Sequence, residues 1–456
     1  MTSTPTSRNP WAWVPTLYFA EGLPYAVVVM TVSVTMYKRM GISNSDIALY
    51  TSWLYLPWVI KPLWSPFVDM FRTKRRWITS TQGILSLGLL LIIPALAFPN
   101  FLLLTLAVFA LMAFSSATHD IAADGYYMLA LDQGSQAAFV GVRSTFYRIA
   151  QITAQGGLVV LAGILETSQG IPRAWSIAFG VLGVVFLMLF FYHRFILPYP
   201  VVDTGSLAGQ GLTPAQLGIL GGGFAAFLVV LGGAFLVLQR ALVSAGVPGV
   251  PSTVIVIGAL VTGLVVLMRT IVADWVERLS GQPGNEPLKP LLEFMRAFVL
   301  FLRKDNIWTI LSFLLLYRFA EAQLIKLVSP FLLDPLDKGG LGLSTQEVGV
   351  VYGTVGIIAL TCGGLIGGYV ISRKGLRWWL WPMVLIMHLP DLMFVYLSHA
   401  QPGNFILINL AVAVEQFGYG FGFTAYMMFM IMMFMMIARS LAAWGRLAQV
   451  RLHQKN

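Results

Sequence analysis

Between residues 11 and 436 this chain is largely a succession of apolar stretches, each about twenty residues long. About twenty residues of α-helix match the hydrocarbon thickness of a bilayer. Inside hydrocarbon a segment must satisfy its own backbone polar groups, so a run of that length forms a helix. Twelve such spans are read, at 11–37, 46–70, 77–97, 99–130, 138–165, 173–196, 216–238, 252–273, 306–333, 346–371, 377–398 and 403–436. Composition agrees: 11% of the 456 residues are charged, 57% are hydrophobic, and mean hydropathy is +0.78. A water-soluble fold has no place for that much apolar surface. The formal charge of +10 does not point to nucleic acid, because Lys and Arg fall in short clusters between the apolar stretches.

Those clusters set an orientation. Arg72, Lys74, Arg75 and Arg76 follow the second span, His193 and Arg194 the sixth, and Arg373, Lys374 and Arg377 the tenth. The loops at 97–100 and 399–404 carry neither Lys nor Arg. By the positive-inside rule the clusters are cytoplasmic, and so are both termini. Lys38 and Arg39 stand on the outer side against this trend. Residues 287–304 alternate apolar and charged positions at helical spacing, as in a helix lying on the inner membrane surface. The N-terminus lacks a cleavable leader pattern. Cys362 is the single cysteine, which excludes an internal disulfide.

The chain also repeats. Phe19-Ala20-Glu21 recurs as Phe319-Ala320-Glu321, each acid inside a spanning stretch. Aligning Ser43 with Ser344 sets Asp46-Ile47 against Glu347-Val348, just ahead of a span in each half. Those spans end in Asp69-Met70-Phe71-Arg72-Thr73-Lys74-Arg75-Arg76 and in a second basic turn containing Arg373 and Lys374. Repeats with intramembrane acids are the pattern of secondary transporters. The expected division is a six-helix half at 1–196, a linker at 197–304 with two inserted spans and the interfacial helix, a four-helix half at 305–436, and a basic tail at 437–456.

Several polar residues lie where a bilayer makes them costly. Asp120 and Asp124 share a helix face, so they repel unless one is protonated or a cation pairs with them; His119 is adjacent. Asp120, Asp124, Glu21 and Glu321 are the candidates for proton coupling. Arg143 or Arg148 could instead neutralise the aspartates, and Arg318 could neutralise Glu321. Arg148 is the first candidate for clamping an anionic group, because guanidinium offers a planar fork. Lys61, Lys326, Arg318, His119, Glu415 and Tyr126 complete the candidate substrate set, with the alternative that Lys61 and Lys326 pair structurally with Glu21 or Asp124. Asp69, Arg72, Arg75, Arg76, Arg373 and Lys374 are candidates for a conformational latch. His388 and Asp391 flank Pro390 as a satisfied polar pair, and Gly363, Gly364, Gly367 and Gly368 suit close helix packing.

Both basic turns resemble the signature of the major facilitator superfamily, G-x-x-x-D-R-x-G-R-R/K. Within that superfamily the chain resembles the muropeptide permease (AmpG) family. Phe19-Ala20-Glu21-Gly22-Leu23-Pro24 is similar to F-A-x-G-L-P, and Lys61 through Asp69 to K-x-L-W-S-P-x-x-D. Ser116 through Asp124 is similar to S-A-x-Q-D-I-x-x-D, and Glu347 through Val351 matches E-V-G-V-V. Tyr147-Arg148, Asn306 through Glu321, and Glu415 fit further positions. Glu21 and His119 depart from the family pattern, and two final helices of the second half are absent from the reading. The Asp120-Ile121-Ala122-Ala123-Asp124-Gly125 segment is also similar to the acetyl-CoA transporter family.

The resemblance implies a proton-coupled importer of anhydro-muropeptides in a bacterial cytoplasmic membrane, a monomer without cofactor or metal, with Tyr18, Tyr25, Tyr126 and Tyr317 available to contact sugar. A transporter of acetyl-CoA or another large organic anion is the alternative. An integral-membrane transferase is the third reading, but the five His residues show no metal spacing and no nucleophile–base order. Matched buried acids argue for alternation rather than an open channel.

Overall fold

The computed structural model describes residues 8–200, 230, 232–247, 249–280, 289–304 and 306–453. Two compact units divide the chain: Met1–Gly205 with Leu314–Met430, and Ser206–Phe313 with Ile431–Asn456.

The first unit holds both copies of the repeat. Its first half runs α1 (Val14–Val28), α2 (Thr31–Arg39), α3 (Asn44–Trp53), α4 (Leu56–Phe71), α5 (Lys74–Ala95), α6 (Phe101–Ala130), α7 (Gln133–Ile152), α8 (Val159–Gln169) and α9 (Ile171–Ile196). A π-helical stretch, Thr153–Leu158, makes α7 and α8 one continuous rod. Helix α5 packs on α6 and α9, and α1 on α6 and α7. The core between them is filled by Leu23, Val27, Leu85, Phe109, Met112 and Phe179. The opposite faces stay apolar: Ile84, Leu87 and Leu91 on α5, and Val181, Val184 and Met188 on α9, are exposed at helical spacing. In a membrane such faces meet lipid, which is why these helices are hydrophobic all round.

The second unit contains α10 (Gly232–Ser244), α11 (Gly249–Leu267), α12 (Ala273–Ser280) and α13 (Lys289–Leu302), and α14 (Ile307–Leu316) begins in it. Its small core joins Val265, Leu302 and Ile307. Arg303 Nη1 donates to Glu277 at 3.3 Å.

The first unit resumes with α15 (Phe319–Leu333), α16 (Thr345–Val348), a π-helical stretch at Gly349–Gly356, α17 (Ile357–Lys374), α18 (Leu376–His388), α19 (Leu392–Ala400) and α20 (Phe405–His453). Gly363 and Gly367 of α17 lie against the backbone of α20 at Phe417 and Phe421, where no larger residue fits. The repeat alignment has a structural counterpart. Ser43 and Ser344 are both helix N-caps, accepting from the backbone N–H of Asp46 at 3.1 Å and of Glu347 at 3.2 Å.

Nine helical stretches among the described residues are long and apolar enough to cross a membrane, and they coincide with nine of the twelve expected spans. The stretch at 46–70 is instead divided into α3 and α4, and that at 306–333 into α14 and α15. The run at 216–238 lies mostly outside the described residues. The first span is long enough but is itself interrupted between Val28 and Thr31. Residues 27–35 there hold seven β-branched side chains, which weaken helix propensity.

Candidate functional site: a cavity between the two halves

Within the first unit, the two halves enclose a cavity of about 470 Å³. The first half contributes Tyr25, Met30, Tyr55 and a stripe down α7 and the π-helical stretch after it: Ser144, Arg148, Gln151 and Gln155, at intervals of four, three and four. That spacing keeps them on one face of the rod, which presents a polar stripe to the cavity. The second half answers with Arg318, Tyr352, Gln416, Tyr419 and Phe423.

The two lining arginines differ. Arg318 is neutralised: its Nε and Nη2 donate to Glu321 Oε2 at 3.1 and 3.0 Å, and Nη2 also reaches Tyr419 Oη at 3.0 Å. Glu321 lies in the first turn of α15, where the helix dipole favours an anion. Arg148 donates from Nη1 to Gln151 Oε1 at 2.9 Å and makes no ion pair among the described residues. A guanidinium on a cavity wall with no ion pair among the described residues is ready to receive a carboxylate or phosphate in the bidentate manner. Glu415 lies behind the lining, 2% exposed, accepting from Gln416 Nε2 at 3.0 Å. The same Gln416 amide donates to Tyr352 Oη at 3.2 Å.

A second cluster sits among α1, α4, α6 and α7. Lys61 Nζ is 3.7 Å from Asp120 Oδ2, which also accepts from Trp58 Nε1 at 3.1 Å. Arg143 Nη2 is 2.5 Å from Asp124 Oδ1, and Tyr18 Oη donates to the same oxygen at 3.1 Å. Glu21 is within electrostatic reach of both aspartates and both cations, yet it forms no ion pair among the described residues. Its Oε2 is buried without a hydrogen-bond partner among the described residues. Three carboxyls therefore share two cations.

Other sequence candidates lie elsewhere. His119 and Tyr126 are not on the cavity wall but inside the first half. His119 Nε2 is 2.9 Å from the Gln82 amide, whose oxygen is 3.0 Å from His193 Nδ1. Tyr126 Oη donates to the Pro198 carbonyl at 2.7 Å. Lys326 does not meet Glu21 or Asp124. Its Nζ donates to Val29 O at 3.2 Å and Thr51 O at 3.4 Å. The contacts described for Arg75, Arg373 and Lys374 stay within their own halves. Arg75 donates to Leu197 O at 3.1 Å, Arg373 to Tyr369 Oη at 3.0 Å, and Lys374 Nζ lies 4.2 Å from the centre of the Trp378 ring. Arg72 and Arg76 are exposed, and the Asp69 side chain lies outside the described set. His388 and Asp391 form a pair at 3.6 Å. Tyr55, Gln151, Gln155 and Tyr352 line the cavity without having been singled out from sequence; the polar spacing along α7 is the signal that marks two of them.

Residues 21–197, which carry the acid cluster and the polar stripe with Arg148, match the model of the BT1 family. A Rickettsia conorii protein named transporter AmpG 4 is 23% identical over 422 residues, covering 90% of this chain and 78% of its own length. The anhydromuropeptide permease of Escherichia coli is 25% identical over 370 residues, 79% of this chain and 55% of the permease. The chain is a distant homologue of the AmpG transporters. Among solved structures, a variant of the nucleoside transporter NupG superposes with a TM-score of 0.57 at 15% identity, covering 92% of this chain and 82% of NupG. A variant of the peptide transporter POT in complex with sulfate gives 0.53 at 15% identity, with 92% and 81% covered. At such identities the likeness is one of fold. This AmpG-like protein is thus a multi-pass secondary transporter of the major facilitator type, not an enzyme.

Proposed function

We propose that this protein imports anhydro-muropeptides across a bacterial cytoplasmic membrane, driven by protons. The observation that carries the reading is the pairing of a cavity bearing a guanidinium, Arg148, with a separate cluster containing the carboxyl of Glu21, neither of which forms an ion pair among the described residues. The first suits a cargo with a carboxylate. The second suits a proton, because a lone carboxyl at membrane depth is far less costly when neutral. Tyrosines and amides around Arg148 offer surfaces for sugar hydroxyls and peptide groups. The name of the Escherichia coli permease supplies the cargo class.

With the basic clusters cytoplasmic, both termini are cytoplasmic and Lys38 and Asp334 face outward. Uptake of labelled anhydro-muropeptide into proteoliposomes holding the purified full chain tests the proposal. Accumulation only with an inward proton gradient supports both cargo and coupling; uptake indifferent to the gradient removes the coupling. A second reading, transport of acetyl-CoA or a similar large anion, is favoured by both charged lining residues being arginines. Competition of the labelled uptake by acetyl-CoA rather than by muropeptide would select it.

A further inference from the structure

Polar contacts close the first unit at the end the cavity does not reach, and two acids organise them. Glu166, near the end of α8, has a side chain 7% exposed. Its Oε2 accepts from Arg39 Nε at 2.9 Å and from Thr345 Oγ1 at 2.8 Å, while Oε1 accepts from Trp175 Nε1 at 3.0 Å. Arg39 and Trp175 belong to the first half, and Thr345 opens α16 in the second. Asp334, just past α15, lies 2.5 Å from Lys38 Nζ and accepts from Asn44 Nδ2 at 2.9 Å. Both of those donors come from the first half. Each acid therefore ties one half to the other.

Lining and closing residues separate along every rod. On α1 and α2, Tyr25 and Met30 line the cavity, whereas Lys38 and Arg39 close it. On α7 and α8, residues 144–155 line and Glu166 closes. On α15, Arg318 and Ile325 line and Asp334, at its end, closes. From α16 into α17, Thr345 closes, and Tyr352 through Leu365 line. Between the two zones the backbones touch: a Cβ on Gly353 would meet the main chain of Gln155 and Gly156.

We propose that Glu166 and Asp334 are the gate residues that seal the cavity at this end, and that cargo passes there only when the Glu166–Thr345 and Asp334–Lys38 bridges part. The physical case rests on reversibility. An apolar seal is held shut by the full cost of wetting its surface. Charged and hydroxyl groups at the rim are instead hydrated once the halves separate, which offsets much of what the bridges contribute. The gate concerns access to the cavity and holds whatever the cargo proves to be.

The test reads access directly and needs no substrate. In the reconstituted full chain, Cys362→Ser removes the native thiol and Met30→Cys places one on the cavity wall. A membrane-impermeant maleimide is then applied from the Lys38 side. Glu166→Gln combined with Asp334→Asn should raise the labelling rate about fivefold or more, the factor that ~1 kcal/mol gives. Glu166→Asp, which keeps the acceptor, should stay near the parent. The exchanged pair Lys38→Asp with Asp334→Lys should also label near the parent rate. An unchanged rate in the double variant, or an exchanged pair that labels as fast as Asp334→Asn alone, would overturn the proposal. Should the double variant fail to fold, the exchanged pair measured against Asp334→Asn decides it alone.

Discussion

The ammonium of Lys326 donates at 3.2 Å to the main-chain oxygen of Val29, where the first spanning helix breaks, and at 3.4 Å to that of Thr51 near the end of α3. A helix interrupted in mid-membrane leaves carbonyls without intrahelical donors. Here the second half of the transporter supplies the donor to the first. Lys326→Met removes it, and a buried acceptor left unpaired costs about 1–3 kcal/mol. The thermal unfolding midpoint in detergent should fall for Lys326→Met and recover in Lys326→Arg. Equal midpoints would show that the carbonyls find other donors.

Arg148 is the guanidinium on the cavity wall with no acid beside it among the described residues. Replacing it by Leu should leave folding intact, because no ion pair is broken. Binding of an anionic cargo should weaken about ten- to a hundredfold, the range expected for a lost hydrogen bond to a charged group. Arg148→Lys should recover part of this, since it keeps charge without the planar fork. Titration calorimetry on the purified protein measures it, and unaltered affinity in Arg148→Leu would place the anion elsewhere.

Glu21 bears a buried carboxyl oxygen that has no hydrogen-bond partner among the described residues. Glu21→Gln mimics the protonated form permanently. Accumulation driven by a proton gradient should drop to background while exchange of labelled for unlabelled cargo continues. Retained accumulation would move the coupling site to Asp120 or Asp124.

Gly353 faces the backbone of Gln155 and Gly156 across the two halves, with no room for a side chain. Gly353→Val forces the rods apart, and overpacking of this kind costs about 1–3 kcal/mol. Uptake should fall to about a tenth or less, the factor corresponding to ~1.4 kcal/mol. Gly368→Val, at a position with open space around it, is the control and should transport normally.

Asp334 lies outside the spanning stretches. Burial acts to raise its pKa, but hydrogen bonds from Lys38 and Asn44 and the Lys38 charge prevail and hold it below its ordinary value. A depressed folded-state pKa means that the bridge's contribution is present above the unfolded value of about 3.9. It is lost as pH falls through the lower folded value. The stability difference between the parent and Asp334→Asn should therefore be constant from about pH 5 to 8 and shrink below about pH 4. A difference that changes between pH 6 and 8 would contradict this assignment.

Much of the architecture was legible because membrane helices obey local rules. Nine of the expected spans follow from apolar length alone, and the alignment of Ser43 with Ser344 has its counterpart in two helix caps that the structure adds. The breaks at 28–31 and 317–318 were not read, because interruption depends on what a neighbour can donate to the freed backbone. Among candidate residues, Arg148 and Arg318 reach the cavity wall while His119 and Tyr126 turn into the first half. On a helix that is apolar all round, periodicity does not say which face meets lipid, core or cavity.

The sequence by itself determined a polytopic helical membrane protein, its internal repeat, and the residues too polar to be idle in a bilayer. Each of these depends on composition, length and spacing along one segment. Tertiary structure alone decided which charges neutralise one another. Between helices it pairs Arg143 with Asp124 and Lys61 with Asp120, and leaves Arg148 and Glu21 without an ion pair among the described residues. It also brought Glu166 to Thr345 and Lys38 to Asp334 across 179 and 296 positions of chain. Ion pairing acts over a few ångströms, and only the packing of distant helices sets which groups come that close.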